Sequence, residues 1–279
     1  MGYWRLLPFA IVDGPTSAAV DEGLLETVGK GDSPPTLRFY TWSGSWLSVG
    51  SSQSVVEDVD LGACERSGVQ IVRRASGGTA MLNEHLVGFS LVLPSSHPLV
   101  AGGITDTYRQ IGPALIAGLE ALAVSAQAAT APEVHAWEGS PTPAICRRAC
   151  FARLAPSELL WQGRKLVGNA QVRRRGAVLL HGMLLLDFDA ERMAGLLRAG
   201  SEAERAGLRR FLETRIGTLR QALGPRTPSW WQAAGALEHG FRSALEAHLS
   251  PEDLTEKEQG LVSALRQRKY ADPTWTKRR

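Results

Sequence analysis

The sequence lacks a membrane-crossing stretch: no run approaches the roughly 20 apolar residues that such a helix needs. It also lacks the marks of a secretion signal. The opening MGYWRLLPFAIVDGPTS has one Arg and a short apolar stretch broken by Pro8 and Asp13, with no long apolar core or small-residue cleavage site. Cysteine is scarce. Three cysteines are an odd number and do not suit a disulfide framework in a chain of 279 residues, so a reducing cytoplasm is the expected setting. Cys, His and acidic residues do not recur at zinc-like spacings, so no metal is expected. Internal repeats and low-complexity linkers are also missing.

What is present suits a packed enzyme. With 44% hydrophobic and 21% charged residues, the chain can bury one large core or two small ones. A single domain over residues 1–279 is expected, with a core at about 33–250 and a basic helical tail at 251–279. The net charge of +3 says little, but basic residues are clustered: Arg147-Arg148, Arg173-Arg174-Arg175, and the tail Arg266, Arg268, Lys269, Lys277, Arg278 and Arg279. These are either ordinary solvated faces or docking points for an acidic macromolecule.

Residues 16–31 read as a helix capped by Thr16 or Ser17. TLRFYTW (36–42) and SWLSVGSSQ (45–53) read as a hairpin-like pair of strands. A short helix at 60–68 holds Cys64 as a small core residue. Strands follow at 69–78, running into a glycine turn, and at 87–94. The longest amphipathic helix spans 104–123, with Ile104, Tyr108, Ile111, Leu115, Leu119 and Leu122 on one face. A loop with Pro141 and Pro143 follows. Residues 158–171 and 177–189 read as strands, and the chain is helical from about 190, its last helix opened by Ser250-Pro251. Strands mixed with helices early and helices gathered late predict an α+β fold.

Two segments carry candidate chemistry. In RRASGG (73–78), glycines permit close backbone approach, Arg74 can neutralise an anion, and the turn can present N–H groups to one. A plain turn explains the same residues. Cys150 lies fifteen residues before Lys165, on the way into a strand through Gly163-Arg164-Lys165. A thiol has a pKa of about 8.5, and a nearby ammonium lowers it, making a nucleophilic thiolate available. Lys165 can also stabilise an oxyanion. The alternative is a buried structural thiol at Cys150 and an exposed strand lysine at Lys165.

Together these residues resemble the lipoate/biotin protein ligase superfamily. The likeness is strongest to its cysteine-bearing branch, the octanoyl-acyl-carrier-protein:protein N-octanoyltransferases of the LipM type. Arg73, Arg74, Gly77 and Gly78 match its Arg-Arg-x-x-Gly-Gly turn. Cys150 and Phe151, then Gly163, Arg164, Lys165, Gly168, Ala170 and Gln171, match its Cys-Phe and its lysine-bearing strand. His181-Gly182 matches a later His-Gly, and Lys269, Tyr270, Trp275, Lys277 and Arg278 match its closing segment. The resemblance runs from about residue 16 to the C-terminus.

It implies a mixed sheet flanked by helices, as in the biotin and lipoate ligases. It also implies Cys150 as acyl-thioester nucleophile and Lys165 as the group that lowers its pKa. An acyl pocket would be lined by Arg74, Ser76, Gly77, Gly78, Gly168, Asn169, Ala170, Gln171, His181 and Gly182, the role of His181 left open. The implied donor is octanoyl acyl-carrier protein. The implied acceptor is a lipoyl carrier domain, such as glycine-cleavage H protein or a 2-oxoacid dehydrogenase E2. The resemblance implies no cofactor, no nucleic acid, no membrane and a monomer. An ATP-dependent lipoate ligase, an amidotransferase working between carrier domains, and a non-catalytic carrier-domain binder remain as alternatives. Thr79 and Asn83 stand where the family has Arg and His, and Asn169 where it often has Ser. Cys146, four residues before Cys150, is a candidate resolving or competing thiol.

Overall fold

The computed structural model describes residues 2–139, 144–245 and 247–278. The expected loop at Pro141 and Pro143, and Arg279, lie outside the described residues.

In chain order the strands are β1 (Gly2–Val12), β2 (Thr36–Trp42), β3 (Trp46–Val49), β4 (Gln70–Arg73), β5 (Met81–Asn83), β6 (Leu86–Pro94), β7 (Gln127–Ala128), β8 (Leu159–Trp161), β9 (Arg164–Arg174), β10 (Ala177–Leu185) and β11 (Ala247–Pro251). Among the described residues eight of them form a mixed sheet in the order β11-β1-β2-β6-β10-β9-β8-β7, and β4-β3-β5 form a second. The pairs β11–β1 and β1–β2 are parallel, while β2–β6, β6–β10 and β10–β9 are antiparallel. The helices are α1 (Gly14–Gly29), α2 (Val55–Asp58), α3 (Leu61–Arg66), α4 (Ile104–Ala121), α5 (Ala131–Glu138), α6 (Ala190–Gly195), α7 (Glu202–Arg215), α8 (Leu219–Leu223), α9 (Trp230–Ala244), α10 (Glu256–Leu265) and α11 (Pro273–Lys277). This is the α+β, helix-flanked mixed sheet that the sequence predicts.

Side chains alternate across a strand, and the large sheet uses both faces. Phe39, Phe89, Leu91 and Leu180 face α4 and α9, packing with Leu115 and Phe241. Tyr40, Val92, Leu179 and Leu185 face α1 and the small sheet, packing with Leu25 and Leu47. Because both faces are covered, β6 and β10 read as nearly unbroken apolar runs rather than as alternation.

The structure corrects several expectations. Strand β3 does not pair with β2 but heads the second sheet, between β4 and β5, so Ser43-Gly44 is a crossing between sheets and not a hairpin turn. Helix α1 is capped by Asp13, whose Oδ1 accepts from Thr16 N at 2.7 Å. Ile104 opens α4 but is exposed. Pro251 ends β11 rather than opening a helix, and α10 is capped by Thr255 in a reciprocal Thr255–Glu258 box. Strand β1, ahead of residue 33, lies inside the main sheet between β11 and β2. No helix among the described residues is long and apolar enough to cross a membrane.

The C-terminal segment is tied to the rest by two buried arginines. Arg5 makes a two-pronged pair with Glu258 at 2.6 and 2.7 Å. Arg73, fully buried, donates to Gly50 O and Gln53 O on one side and to Thr276 O and Arg278 O on the other, at 2.7 to 2.8 Å.

Candidate active site

Strand β8 stops its pairing with β9 at Leu159↔Val167. Just beyond, the outer edge of β9 is met by the Glu158 side chain, which accepts from Asn169 N at 3.1 Å. Cys150 N donates to Ala80 O at 2.8 Å, and Ala80 N to Arg148 O at 3.0 Å. The backbone of Cys150 is thus joined to the far end of the glycine turn that begins at Arg74. The Phe151 ring packs against Gly168, where an added Cβ would stand 2.8 Å from it. Any larger residue at 168 would push Phe151, and Cys150 with it, off the strand. Cys150 itself is half-buried.

Lys165 is brought to the same place. Its Nζ lies 5.0 Å from the centre of the Phe151 ring and donates to Arg153 O at 2.8 Å. Its ion-pair partner, however, is one that sequence reasoning missed: Glu158 Oε2, at 2.7 Å, with both side chains buried. Glu158 also accepts from Ala155 N at 2.8 Å and from Asn169 N at 3.1 Å, so one carboxylate closes the free edge of β9 and fixes the ammonium. The available signal was a charged residue directly ahead of the apolar Leu159-Leu160.

The glycine turn is held from within. Arg74 donates through Nη1 to Ser48 O at 3.1 Å and through Nη2 to Gly77 O at 2.9 Å and Thr79 O at 3.0 Å. It pins the turn, its terminal nitrogens engaged by carbonyls. Burial pulls the Arg74 guanidinium below its ordinary pKa, and the Cys150 sulfur lies within its electrostatic reach. Gly77 and Gly78 are exposed, and Gly78 adopts φ 94°, a left-handed conformation that favours glycine.

Ser76, just ahead of them, is buried. Its Oγ lies 2.6 Å from His181 Nε2, and His181 Nδ1 lies 3.4 Å from Asp21 Oδ2. Asp21 Oδ1 faces Arg38 Nε at 3.4 Å, and Arg38 Nη2 donates to Ser17 Oγ at 2.7 Å. Burial pushes the Asp21 carboxyl up, but Arg38 and His181 outweigh it and hold it below the ordinary carboxylate range. Asp21 was also missed by sequence reasoning. It lies with Glu22 in the middle of an apolar helix, and such an acid pair must find cations when the helix is buried.

The two-residue period of β9 divides the remaining candidates. Gly168 and Ala170 oppose Met183 and His181 and share the face that carries Phe151. Asn169 and Gln171 oppose Gly182 and Leu180, on the face toward α4. There Phe89 and the Asn169 side chain close over Gly182. Gln171, with its amide oriented by the hydrogen-bond network, meets Arg173 Nε at 2.6 Å. Asn169, Gln171 and Gly182 therefore do not join the cluster around His181, because adjacent residues of a strand cannot point to one side.

Burial pushes the thiols of Cys64 and Cys146 up to about 11, which makes Cys64 the small core residue expected and leaves Cys146 little thiolate character. The basic clusters are largely engaged within the chain. Arg174 and Lys269 pair with Glu22, Arg175 with Glu26, Arg266 with Asp13, and Arg148 with Asp58. Asn83 donates to Trp46 O and Met81 O, a purely internal role. Among the described residues no three His, Cys, Asp or Glu side chains stand together as a metal site.

This combination of a mixed sheet, a pinned glycine turn and a buried lysine on the neighbouring strand has the fold of the lipoate protein ligases. A bi-partite lipoate protein ligase from Thermoplasma acidophilum superposes with a TM-score of 0.79 at 24% identity, covering 99% of this chain and 96% of that one. A lipoate-protein ligase A bound with ATP gives 0.77 at 23% identity, covering 99% and 98%. The chain belongs to the lipoyl protein ligase A/B catalytic domain family, which matches residues 13–242. Along its whole length it is similar to proteins named Octanoyltransferase LipM. The one from Symbiobacterium thermophilum is 37% identical, over 99% of this chain and 98% of the relative, and the one from Brevibacillus brevis is 32% identical over 100% of both.

Proposed function

We propose that the chain transfers an octanoyl group from acyl-carrier protein to a lysine of a lipoyl carrier domain, through a thioester on Cys150. The observation that carries this reading is the half-buried Cys150, joined by its backbone to the glycine turn and flanked through Phe151 by the buried Lys165. Full-length similarity to octanoyltransferases supports it, and so does a fold neighbour solved from a lipoylation system with its E2 lipoyl domain.

In the first step the Cys150 sulfur attacks the donor thioester carbonyl. A new C–S bond forms, the pantetheine C–S bond breaks, and the carrier leaves as a thiol. In the second step the ε-amine of the acceptor lysine attacks the acyl-enzyme, an amide C–N bond forms, and Cys150 is released. A thioester is already activated, so neither step needs ATP. Lys165, whose ammonium lies against the Phe151 ring next to Cys150, supplies the positive charge that steadies the negative charge developing on sulfur or carbonyl oxygen.

The test is intact-protein mass spectrometry after mixing with octanoyl acyl-carrier protein in the absence of ATP. Wild type gains one hydroxylamine-labile octanoyl group and Cys150→Ala gains none. An unmodified wild type refutes the proposal.

A further inference from the structure

We propose that an arginine-lined surface beside Cys150, carried by Arg147, Arg153 and Arg198, docks the donor by the phosphodiester of its carrier-bound phosphopantetheine arm. This rests on the acyl-transfer reading above and assigns the surface to its first half-reaction.

The surface is built from three segments. Residues 144–157 carry Cys150. The turn at 75–80 joins them through Ala80, whose oxygen accepts from Cys150 N at 2.8 Å and whose N–H donates to Arg148 O at 3.0 Å. Residues 196–200 join them at Arg198, whose carbonyl accepts from Arg148 Nη1. Asp58 ties the same corner. Its backbone oxygen accepts from Arg198 N at 2.9 Å, and its carboxylate pairs with Arg148 Nε at 3.0 Å.

Along the chain these segments read ASGGTA, AICRRACFARLAPS and LLRAG. They hold four arginines and no aspartate or glutamate, so every charge they present is positive. Arg147 and Arg153 stand three residues before and after Cys150. Both are exposed, as is Arg198, and among the described residues no ion pair engages any of the three. The carboxylates that border the surface are already taken: Asp58 by Arg148, Glu158 by Lys165 at 2.7 Å, and Glu204 by the Gly200 amide at 2.7 Å. Arg174, Arg175, Arg266 and Lys269, by contrast, are answered by acids of helix α1 or of Asp13 just ahead of it. Like charges set side by side without counter-ions add nothing to the stability of the fold. They lend a field that draws an anion to the nucleophile.

The chemistry of the two substrates decides which one this field serves. The donor carries its thioester at one end of the phosphopantetheine arm and a phosphodiester anion at the other, where the arm joins the carrier. The planar fork of an arginine matches phosphate oxygens two at a time. The acceptor presents an amine, which gains nothing from a positive rim. Cys150 is half-buried while Arg147 and Arg153 are exposed, so an arm that reaches inward to the thiol leaves its phosphate outside, at the level of the guanidinium groups.

The experiment follows loading of Cys150 by intact-protein mass in single turnovers, over a range of donor concentrations. Three donors are compared: octanoyl acyl-carrier protein, octanoyl-phosphopantetheine without protein, and octanoyl-pantetheine, which lacks the phosphate. In Arg147→Glu and Arg153→Glu the half-saturating concentration of the first two rises by about 10-fold or more, the scale on which a charged rim changes encounter. The rate at saturation holds. Loading from octanoyl-pantetheine is unchanged, and so is discharge of the octanoyl-enzyme to a lipoyl carrier domain. Arg147→Lys and Arg153→Lys keep the charge and lose far less. Added salt weakens wild-type loading from the two phosphate-bearing donors and spares octanoyl-pantetheine. Both side chains are exposed, and Arg153→Glu leaves in place the backbone carbonyl that receives Lys165.

Equal losses with octanoyl-pantetheine overturn the proposal, since they place the damage at Cys150 itself. A loss confined to the protein donor overturns it as well, because the surface then reads the carrier and not the phosphodiester. Slowed discharge with normal loading gives the surface to the acceptor instead. Variants that load normally from every donor make it an ordinary solvated face. If wild type takes up no octanoyl group from any donor, the transfer reading itself fails and the docking surface falls with it.

Discussion

Replacing Glu158 by Gln tests whether the ammonium beside the candidate nucleophile is held by charge. The Glu158 and Lys165 side chains are only 3% and 4% exposed, with 2.7 Å between the charged atoms. Taking charge from one half of such a pair leaves the other buried without a counter-ion, which costs about 3–5 kcal/mol. Part of that loss has a local source. Among the described residues the Glu158 carboxylate is met by donors: Lys165 Nζ, Ala155 N and Asn169 N. A glutamine amide group must therefore turn its own N–H toward one of them. Lys165→Met should cost a similar amount by stranding the carboxylate. The double variant, with no charge left to bury, should be far less unstable than the two losses summed. Urea unfolding of the four proteins measures this directly, since changes at independent sites add to within about 0.5 kcal/mol. A Glu158→Gln loss under about 1 kcal/mol, or additive losses, would refute the electrostatic argument.

Three further outcomes follow from the packing. Gly168→Ala should displace the Phe151 ring, which would lie 2.8 Å from the new methyl group, at a cost of about 1–3 kcal/mol. It should lower octanoyl transfer by about 10²-fold through misplacement of Cys150, as measured by single-turnover loading. Arg73→Ala should free the C-terminal segment by removing the guanidinium that holds Thr276 O and Arg278 O, seen as faster tryptic cleavage near the C-terminus with the main sheet intact. Burial would raise the Glu258 carboxyl, but Arg5, Ser33 and the Thr255 amide bring it from 4.5 down to about 2. A lowered folded-state pKa means stability that is complete above pH 4.5 and is lost as pH falls toward 2. Thermal melts of wild type should therefore fall more steeply over that window than those of Glu258→Gln.

The sheet core was legible because β2, β6 and β10 are apolar and β-branched runs bounded by turns, and α4 has an unmistakable helical period. The β3 pairing was not legible, since a Ser-Gly step reads alike whether the next strand turns back or crosses to another sheet. Strand β11 escaped notice because HLSP has no apolar run. It is a strand only because β1 lies beside it, and that contact joins residues 245 positions apart, as in Gly2↔Ala247. In the site, Cys150, Lys165, Ser76 and His181 were readable as residue types in an ordered pattern. Their partners Glu158 and Asp21 were not, because each is chosen by a fold that meets it from another strand or helix. Strand period alone could have separated Gly168 and Ala170 from Asn169 and Gln171.

Arg73 gives the molecule a timetable. It immediately precedes the glycine turn, yet its partner Trp275 O is 202 residues further along. At the usual 5–20 residues per second of synthesis, about 10–40 seconds separate the making of the arginine from the making of the carbonyls that receive it. Through that interval the turn lacks one of its anchors, while β3, β4 and β5 of the small sheet are made early and pair with one another. The reactive turn is thus finished among the last parts of the molecule, once the chain already has the sheet on which an acyl group would be held.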